Sequence, residues 1–146
     1  MASSISIGKA KKEEAAAVMA LLESCELPQD GLSDHLATTL VARYSGNVVG
    51  CAALELYGED ALLRSVAVEE SMRGQGLGRR LTASAMNLAK QHGTAQIYLL
   101  TQTASSFFSR FGFKPTSRSN VPRSLQKSVE FTKACPVTAL VMRVDL

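Results

Sequence analysis

The stretch that most constrains the fold runs from Ala61 to Leu81, where an apolar run is followed by three glycines and a helical pattern. Its first half, ALLRSVAV, predicts a buried strand. In its second half, Leu77 and Leu81 begin a four-residue repeat that continues to Ala85 and predicts one face of a helix. This order of strand, turn and helix places unpaired backbone N–H groups at the positive end of a helix dipole, which favours anion binding.

The glycine-rich turn, RGQGLG at 73–78, does not match two well-known phosphate-binding motifs. A P-loop needs Lys and then Ser or Thr after its last glycine, whereas two arginines follow Gly78. A dinucleotide-binding fingerprint needs G-x-G-x-x-G, whereas here the spacing is Gly74-x-Gly76-x-Gly78. On the glycines alone, a turn without any ligand and an anion site of another type both stay open.

The longer string V-A-V-x-x-x-x-R-G-x-G-x-G-x-x-L resembles the acetyl-CoA signature of the GNAT acyltransferase superfamily, (Q/R)-x-x-G-x-(G/A) after an aliphatic strand. Arg73, Gly76 and Gly78 fill the fixed positions of that signature. The resemblance implies an α/β (α+β) GNAT fold, whose mixed, mostly antiparallel sheet contains one splayed parallel strand pair. It also implies N-acetyltransferase activity with acetyl-CoA as the co-substrate.

The same resemblance implies which residues hold acetyl-CoA. In the GNAT fold, pantetheine pairs with the strand backbone as an added strand, which requires no particular side chain. The amides of the turn then bind the diphosphate, and Phe108 lines the pantetheine channel. The predicted cofactor-binding residues are Val66, Ala67, Val68, Arg73, Gly74, Gln75, Gly76, Leu77, Gly78, Arg79 and Phe108.

Two positions depart from the pattern of many superfamily members. Those members carry a glutamate base on this strand and a tyrosine acid before the G-F dipeptide, and the matching residues here are Leu62 and Phe108. Catalysis would then depend on positioning, backbone polarisation and ordered water. The alternative is a different base, with Glu55, Tyr57 and Tyr98 as candidates.

Arg64 stands in the middle of the apolar strand, where a charge is costly unless it is paired. If Glu59 and Asp60 form the hairpin turn, Glu55 lies directly opposite Arg64 and the two form a buried pair. The interpretation that we favour uses strand parity, which sends residues 62, 64 and 66 to the face of the superfamily base, so that Arg64 binds an anionic acceptor group. The candidate substrate-binding residues are Arg43, Arg64 and Ser65, and the candidate catalytic residues are Glu55 and Ser65.

Two further runs narrow the resemblance: IYLLTQTASSFFSRFGF at 97–113 and VPRSLQKSVEFTKACP at 121–136. With ALLRSVAV they resemble the arsenic-resistance N-acetyltransferases and the acetyltransferase domain of some N-acetylglutamate synthases. That subgroup implies a small-molecule acceptor, either a glutamate-like amino acid or its arsinate or phosphinate mimic. A protein or peptide N-acetyltransferase and a non-catalytic CoA-binding sensor remain alternatives.

Composition and charge argue against other classes of protein. A chain of 146 residues, 46% of them hydrophobic, suits one domain over 1–146. The net charge of +3 is spread out, without the basic stripe of a nucleic-acid-binding protein.

An apolar membrane span and a signal peptide are both missing. The three cysteines and two histidines form no metal-ligand pattern, so we expect no metal and a cytoplasmic location. Homodimerisation through the C-terminal strand stays open.

The periodicity predicts the order of the strands and helices. Three antiparallel strands lead up to the glycine-rich turn, with a hairpin at Gly46-Asn47, and the strand after the helix is parallel to the strand before it. Ser33 is the expected cap of a short helical turn. Strands are expected at 3–8, 38–45, 47–57, 61–68, 97–101, 113–115 and 138–144, and helices at 11–24, 77–92, 103–112 and 121–134.

Overall fold

One seven-stranded sheet with helices on both faces organises the computed structural model, which describes residues 4–128, 130–131 and 139–146. The strands are β1 (Ser6–Lys9), β2 (Thr39–Tyr44), β3 (Asn47–Tyr57), β4 (Asp60–Val68), β5 (Gln96–Thr101), β6 (Lys114–Thr116) and β7 (Leu140–Asp145). The α-helices are α1 (Ala15–Ser24), α2 (Leu77–Gln91), α3 (Ser105–Ser109) and α4 (Arg123–Gln126). The strand order is β1-β2-β3-β4-β5-β7-β6.

The pair β4–β5 is parallel, whereas every other neighbouring pair among the described strands is antiparallel. Helix α2 connects the two strands, as a parallel crossover requires. Their pairing ends where Leu62 lies opposite Tyr98, although β4 continues to Val68 and β5 to Thr101. This confirms the expected mixed sheet with a splayed parallel pair.

A β-bulge interrupts β4 just beyond the point where its pairing with β5 ends. The β3–β4 register shifts between Cys51 and Ala53, so that Ser65 and Val66 lie opposite a single residue of β3. Ser65 has a φ of 59°, in the left-handed region that residues other than glycine seldom adopt. The extra residue sends Val66 to the α2 face, so the expectation that Arg64 and Val66 share one face was wrong.

The hairpin between β3 and β4 turns one residue earlier than expected, at Gly58–Glu59. As a result, Glu55 lies opposite Leu62 rather than opposite Arg64. Glu55 and Arg64 are instead diagonal neighbours on one face, a distance that two long side chains can span. The predicted register was therefore wrong, but the two side chains still meet.

The remaining elements begin and end near their expected positions, with two exceptions. Ser33 does not cap a helix, because the 3₁₀ segment Leu32–Thr38 follows Gly31 and lacks a side-chain cap. The helix expected over 121–134 is confirmed only for Arg123–Gln126. Residues 129 and 132–138, including Cys135 and the expected start of the last strand, lie outside the described residues.

Each face of the sheet buries its own apolar cluster. Leu81 and Ala85 of α2 belong to the cluster on one face, and Leu22 of α1 belongs to the cluster on the other. A third cluster contains Leu62 and Leu125, which joins β4 to α4. The helices therefore enclose the sheet around the splayed pair.

Gly50 of β3 provides a test of how closely α2 approaches the sheet. A Cβ at this position would lie 2.8 Å from Leu81 Cδ1 and 3.2 Å from the Ala67 carbonyl oxygen. We expect Gly50→Ala to lower the free energy of unfolding by about 1–3 kcal/mol, the usual cost of overpacking. Chemical denaturation measures this loss.

Gly8→Ala in β1 is the matched control, because its Cβ would meet only the far end of the Arg43 side chain, at 3.3 Å. Equal losses in the two variants would show that the contact with α2 is not the cause.

Candidate active site

A cavity of about 880 Å³ opens between β4 and β5 where the two strands diverge. It reaches both faces of the sheet, since Gly78 lies beside Phe107 on the α2 face and Arg64 lies near Pro28 on the α1 face. Its walls are formed by residues 25–28, 63–68, 99–104, 107–108, 130 and 139 and by most of the stretch from Met72 to Arg79. All the predicted cofactor-binding residues except Gln75 lie in these walls.

The glycine-rich turn forms one end of this cavity and suits an anionic group. Gly74 and Gly76 have φ values of 83° and 81°, and a Cβ on either would meet nothing within 4 Å. Helix α2 begins at Leu77 without a side-chain cap on its first N–H groups. Unsatisfied N–H donors, open space and the positive end of a 15-residue helix together fit a phosphate group.

Arg73 links the turn to the end of β4. Its Nε donates to the Val68 carbonyl oxygen at 3.0 Å, and its Nη2 lies 3.4 Å from Cys25 Sγ. Arg79 also contributes to the cavity wall. These two guanidinium groups add positive charge beside the helix terminus, which further favours an anion there.

Arg64 lies toward the other end of the cavity, and its side chain is fully buried. Its Nη1 lies 2.9 Å from Glu55 Oε2, and its Nε donates to Ser65 Oγ at 3.1 Å. Its Nη2 has longer contacts, 3.4 Å to the Pro28 carbonyl oxygen and 3.4 Å to Glu130 Oε2. Arg64, Ser65, Pro28 and Glu130 all line the cavity. The bond to Glu55 thus fixes the guanidinium, while Nη2 is the loosely held nitrogen.

Glu55 lies behind Arg64, outside the residues that line the cavity. Burial would raise the pKa of Glu55, but hydrogen bonds from Tyr57, Ser128 and Arg64, helped by His35, outweigh burial and lower it. Burial and the contact with Glu55 raise the pKa of Tyr57 to about 12. Because Glu55 does not line the cavity and its carboxylate is held by Arg64, Tyr57 and Ser128, this geometry argues against Glu55 as the catalytic base.

Two other candidates lie away from the cavity. Arg43 Nε is 2.6 Å from Glu14 Oε2, and its Nη2 donates to the Lys9 carbonyl oxygen, so it holds β2 to the N-terminal segment. Tyr98 is 2% exposed. The guanidinium carbon of Arg143 lies over the Tyr98 ring, 5.8 Å from the ring centroid. The structure therefore places neither Arg43 nor Tyr98 in the cavity wall.

The cavity wall also contains Cys25, Pro28 and Glu130, three residues that were not among the predicted site residues. The first two belong to the loop after α1, and no local pattern ties that loop to β4. Glu130 carried one signal, because it is an acidic residue between two apolar residues, Val129 and Phe131.

The sequence profile of the acetyltransferase (GNAT) domain matches residues 35–115, from the segment before β2 to β6. The chain belongs to the GNAT acetyltransferase family. This assignment agrees with the observed sheet and confirms the fold that the sequence predicted. In the described ranges, no group of three or more His, Cys, Asp and Glu residues could hold a metal ion. None of the described helices has the length and apolarity needed to cross a membrane.

This GNAT domain is similar in sequence to an uncharacterized N-acetyltransferase and to an amino-acid acetyltransferase. It is 33% identical to an uncharacterized N-acetyltransferase of Chlorobaculum tepidum over 97 residues, which is 66% of this chain and 62% of that protein. It is 26% identical to an amino-acid acetyltransferase of Neisseria meningitidis over 98 residues, which is 66% of this chain and 22% of that protein. The match thus spans less than two thirds of either relative.

Among solved structures, the fold is similar to that of an N-acetylglutamate synthase from Neisseria gonorrhoeae, complexed with coenzyme A and N-acetyl-glutamate. The TM-score is 0.84 at 21% identity, and the match covers 100% of this chain and 36% of the synthase. The likeness shows that the two share a fold.

Gly76→Asp tests whether the glycine-rich turn binds the cofactor diphosphate. The new carboxylate would face the same N–H groups and repel the anion, so we expect coenzyme A binding to weaken by at least about tenfold, a loss of about 1.4 kcal/mol or more. Isothermal titration calorimetry measures the affinity, and thermal unfolding shows whether the fold is kept.

Gly58→Asp in the β3–β4 turn is the matched control, because Gly58 also has a positive φ, 68°, and open space around it. It introduces comparable backbone strain away from the cavity. Unchanged coenzyme A affinity in Gly76→Asp would contradict the assignment of this turn.

The pairing of Glu55 predicts a pH dependence of stability. Its folded-state pKa lies below the ordinary value of 4.5, so its stabilising contribution is present above that pH and is lost as the pH falls below it. Glu55→Gln leaves the Arg64 charge underpaired, and we expect it to cost about 3–5 kcal/mol at pH 7. Urea denaturation from pH 7 to pH 3 should show the gap to the wild type narrowing as the pH falls.

Glu59→Gln serves as the control for this pH series, because Glu59 is exposed in the β3–β4 turn. Its stability should follow that of the wild type throughout. A gap for Glu55→Gln that stays constant down to pH 3 would show that ionisation of Glu55 is not responsible.

Proposed function

We propose that this GNAT domain transfers the acetyl group of acetyl-CoA to the amino group of a small amino acid with a second anionic group, such as glutamate or its arsinate or phosphinate mimics. The observation that carries the proposal is the buried guanidinium of Arg64, whose Nη2 contacts Pro28 and Glu130 in the wall of the cavity between the splayed strands.

Binding of acetyl-CoA is supported by the divergence of β4 and β5 and by the glycine-rich turn. Beyond Leu62, β4 pairs with β3 on one side only, because its pairing with β5 has ended. Its backbone from Val66 to Val68 is therefore suited to pair with the extended amide-containing arm of coenzyme A. The diphosphate would then lie at Gly74 and Gly76, where there is space and a helix N-terminus. Acetyl-CoA supplies an activated thioester when bound.

Binding of an anionic acceptor is supported by the charge and the contact distances of Arg64. Charge-assisted hydrogen bonds are usually about 2.7–2.9 Å long, so the two 3.4 Å contacts of Nη2 are weak ones that an acceptor carboxylate can replace. The bond to Glu55 keeps the guanidinium in place during this exchange. The Neisseria proteins similar to this chain, an amino-acid acetyltransferase and an N-acetylglutamate synthase, are consistent with such an acceptor.

Positioning supplies much of the catalysis in this proposal. The strand position of the superfamily base is Leu62, which is buried in an apolar cluster, and Phe108 replaces the tyrosine acid. Holding two reactants in line can lower the barrier by about 7–11 kcal/mol at best. The chain's own contribution is to hold both reactants in one cavity, with Arg64 fixing the orientation of the acceptor.

Thiol release from acetyl-CoA, measured with glutamate, phosphinothricin, arsinothricin, uncharged amino acids and a short peptide, tests this function. We expect kcat/KM to be highest for the acceptors that carry two anionic groups. Preference for the peptide would support a protein acetyltransferase, and no turnover despite coenzyme A binding would support a non-catalytic sensor; either result contradicts the proposal.

Arg64→Lys tests the role of the guanidinium while keeping the positive charge that Glu55 needs. Loss of a charged hydrogen bond is worth about 1.5–3 kcal/mol, so we expect kcat/KM for anionic acceptors to fall by about 10- to 150-fold. Coenzyme A affinity should not change. Arg143→Lys, at an exposed pair with Asp145, is the matched control. Equal loss of acceptor use and coenzyme A binding in Arg64→Lys would indicate a structural role instead.

A further inference from the structure

Glu130 places a second carboxylate beside Arg64, and unlike Glu55 it lines the cavity. Both carboxylates contact the same guanidinium, Glu55 at 2.9 Å and Glu130 at 3.4 Å. Glu55 lies behind the guanidinium, whereas Glu130 lines the cavity although only 5% of its surface is exposed. The wall of the cavity therefore presents a cation and an anion side by side.

We propose that Glu130 binds the ammonium group of the acceptor and accepts its proton, an inference that rests on the proposed amino-acid acceptor. A free amino acid carries an ammonium and a carboxylate on neighbouring atoms, so it is complementary in charge to an adjacent carboxylate and guanidinium. Arg64 then binds the acid group and Glu130 the amine.

The placement of the two carboxylates around the guanidinium supports this assignment. Glu55 holds Nη1 at 2.9 Å, whereas the contact between Glu130 and Nη2 is longer, at 3.4 Å. The Glu130 carboxylate lies in the cavity wall, so it attracts a cationic group of the acceptor to that side of the cavity.

Several other titratable groups lie around this cluster. Tyr57 donates a hydrogen bond to Glu55, and His35 Nε2 lies 3.8 Å from Glu55 Oε1, both on the side away from the cavity. Glu26 and Cys25 lie in the cavity wall contributed by the loop after α1. The guanidinium carbon of Arg118 lies 5.7 Å from the ring centroid of Phe131, the residue that follows Glu130 in the chain. Of the groups that line the cavity, Arg64 and Glu130 are paired with each other.

The proton balance of the reaction gives Glu130 a defined task. An ammonium group has three N–H bonds, and the amide product keeps one of them. One proton passes to the Glu130 carboxylate and then through the cavity to solvent. The freed nitrogen lone pair forms the C–N bond as the thioester C–S bond breaks, and the second proton ends on the sulfur that leaves with the bonding electrons.

Glu130→Gln removes the proton acceptor and keeps the size of the side chain. General-base catalysis is worth about 10²–10⁴ in rate, so we expect kcat/KM for glutamate at pH 7 to fall by about that factor while coenzyme A affinity is kept. Because the variant depends on acceptor that is already deprotonated, its kcat/KM should rise about tenfold per pH unit between pH 7 and pH 9. The wild type should level off over the same range.

Glu55→Gln is the matched control, because it also removes a carboxylate partner of Arg64 but from outside the cavity wall. We expect it to lower the melting temperature and to keep the wild-type shape of the pH profile. Glu130→Asp keeps a carboxylate and should recover that shape in part. Recovery by Asp but not by Gln shows that the carboxylate, rather than packing, is required.

Three outcomes would overturn the role of Glu130: a wild-type pH profile in Glu130→Gln, the same altered profile in Glu55→Gln, or equal losses in Glu130→Gln and Glu130→Asp. Failure of the proposed function has a different signature, namely a wild type that prefers amines without an acid group. The same pH comparison with those amines then decides the role of Glu130 separately.

Discussion

The divergence of β4 and β5 beyond Leu62 and Tyr98 is the constraint on which the rest of the structure depends. Backbone groups in a sheet interior need partners, so two strands that stop pairing must leave room for something that replaces the missing bonds. The bulge at Ser65 adds to this effect, because it sends Val66 to the α2 face and leaves Arg64 on the α1 face. One cavity therefore has the N-terminus of α2 near one face and the Arg64 cluster near the other.

The salt bridge between Arg64 and Glu55 fixes a guanidinium at the wall of this opening. Removing either partner from a buried pair costs about 3–5 kcal/mol, so the pair has a fixed geometry that an incoming ligand does not have to create. The hydrogen bonds from Tyr57, Ser128 and Arg64 lower the pKa of Glu55 although the side chain is buried. Under the proposed function, Glu55 stabilises the guanidinium and Nη2 is the nitrogen that binds the acceptor.

Much of the fold could be predicted because its signals are local. The glycine-rich turn, the helix after it and the parallel crossover all follow from spacing within a few residues. The faces of Arg64 and Val66 could not be predicted, because the positive φ of Ser65 arises from pairing with β3 rather than from its own residue type. The pairing of Arg43 could not be predicted for a similar reason: charge alone did not reveal that Glu14, 29 positions earlier, is its partner.

The apolar residue at position 62 and the carboxylate at position 130 are physically connected. Leu62 packs in one cluster with Leu125 of α4 and, at its edge, with Phe131. A glutamate at position 62 would place a charge in that cluster and disturb the packing that docks α4 on β4. That docking also holds the segment that carries Ser128 and Glu130 against the Glu55–Arg64 pair. Leucine at position 62 thus provides the apolar contact that helps to hold Glu130 at the cavity wall.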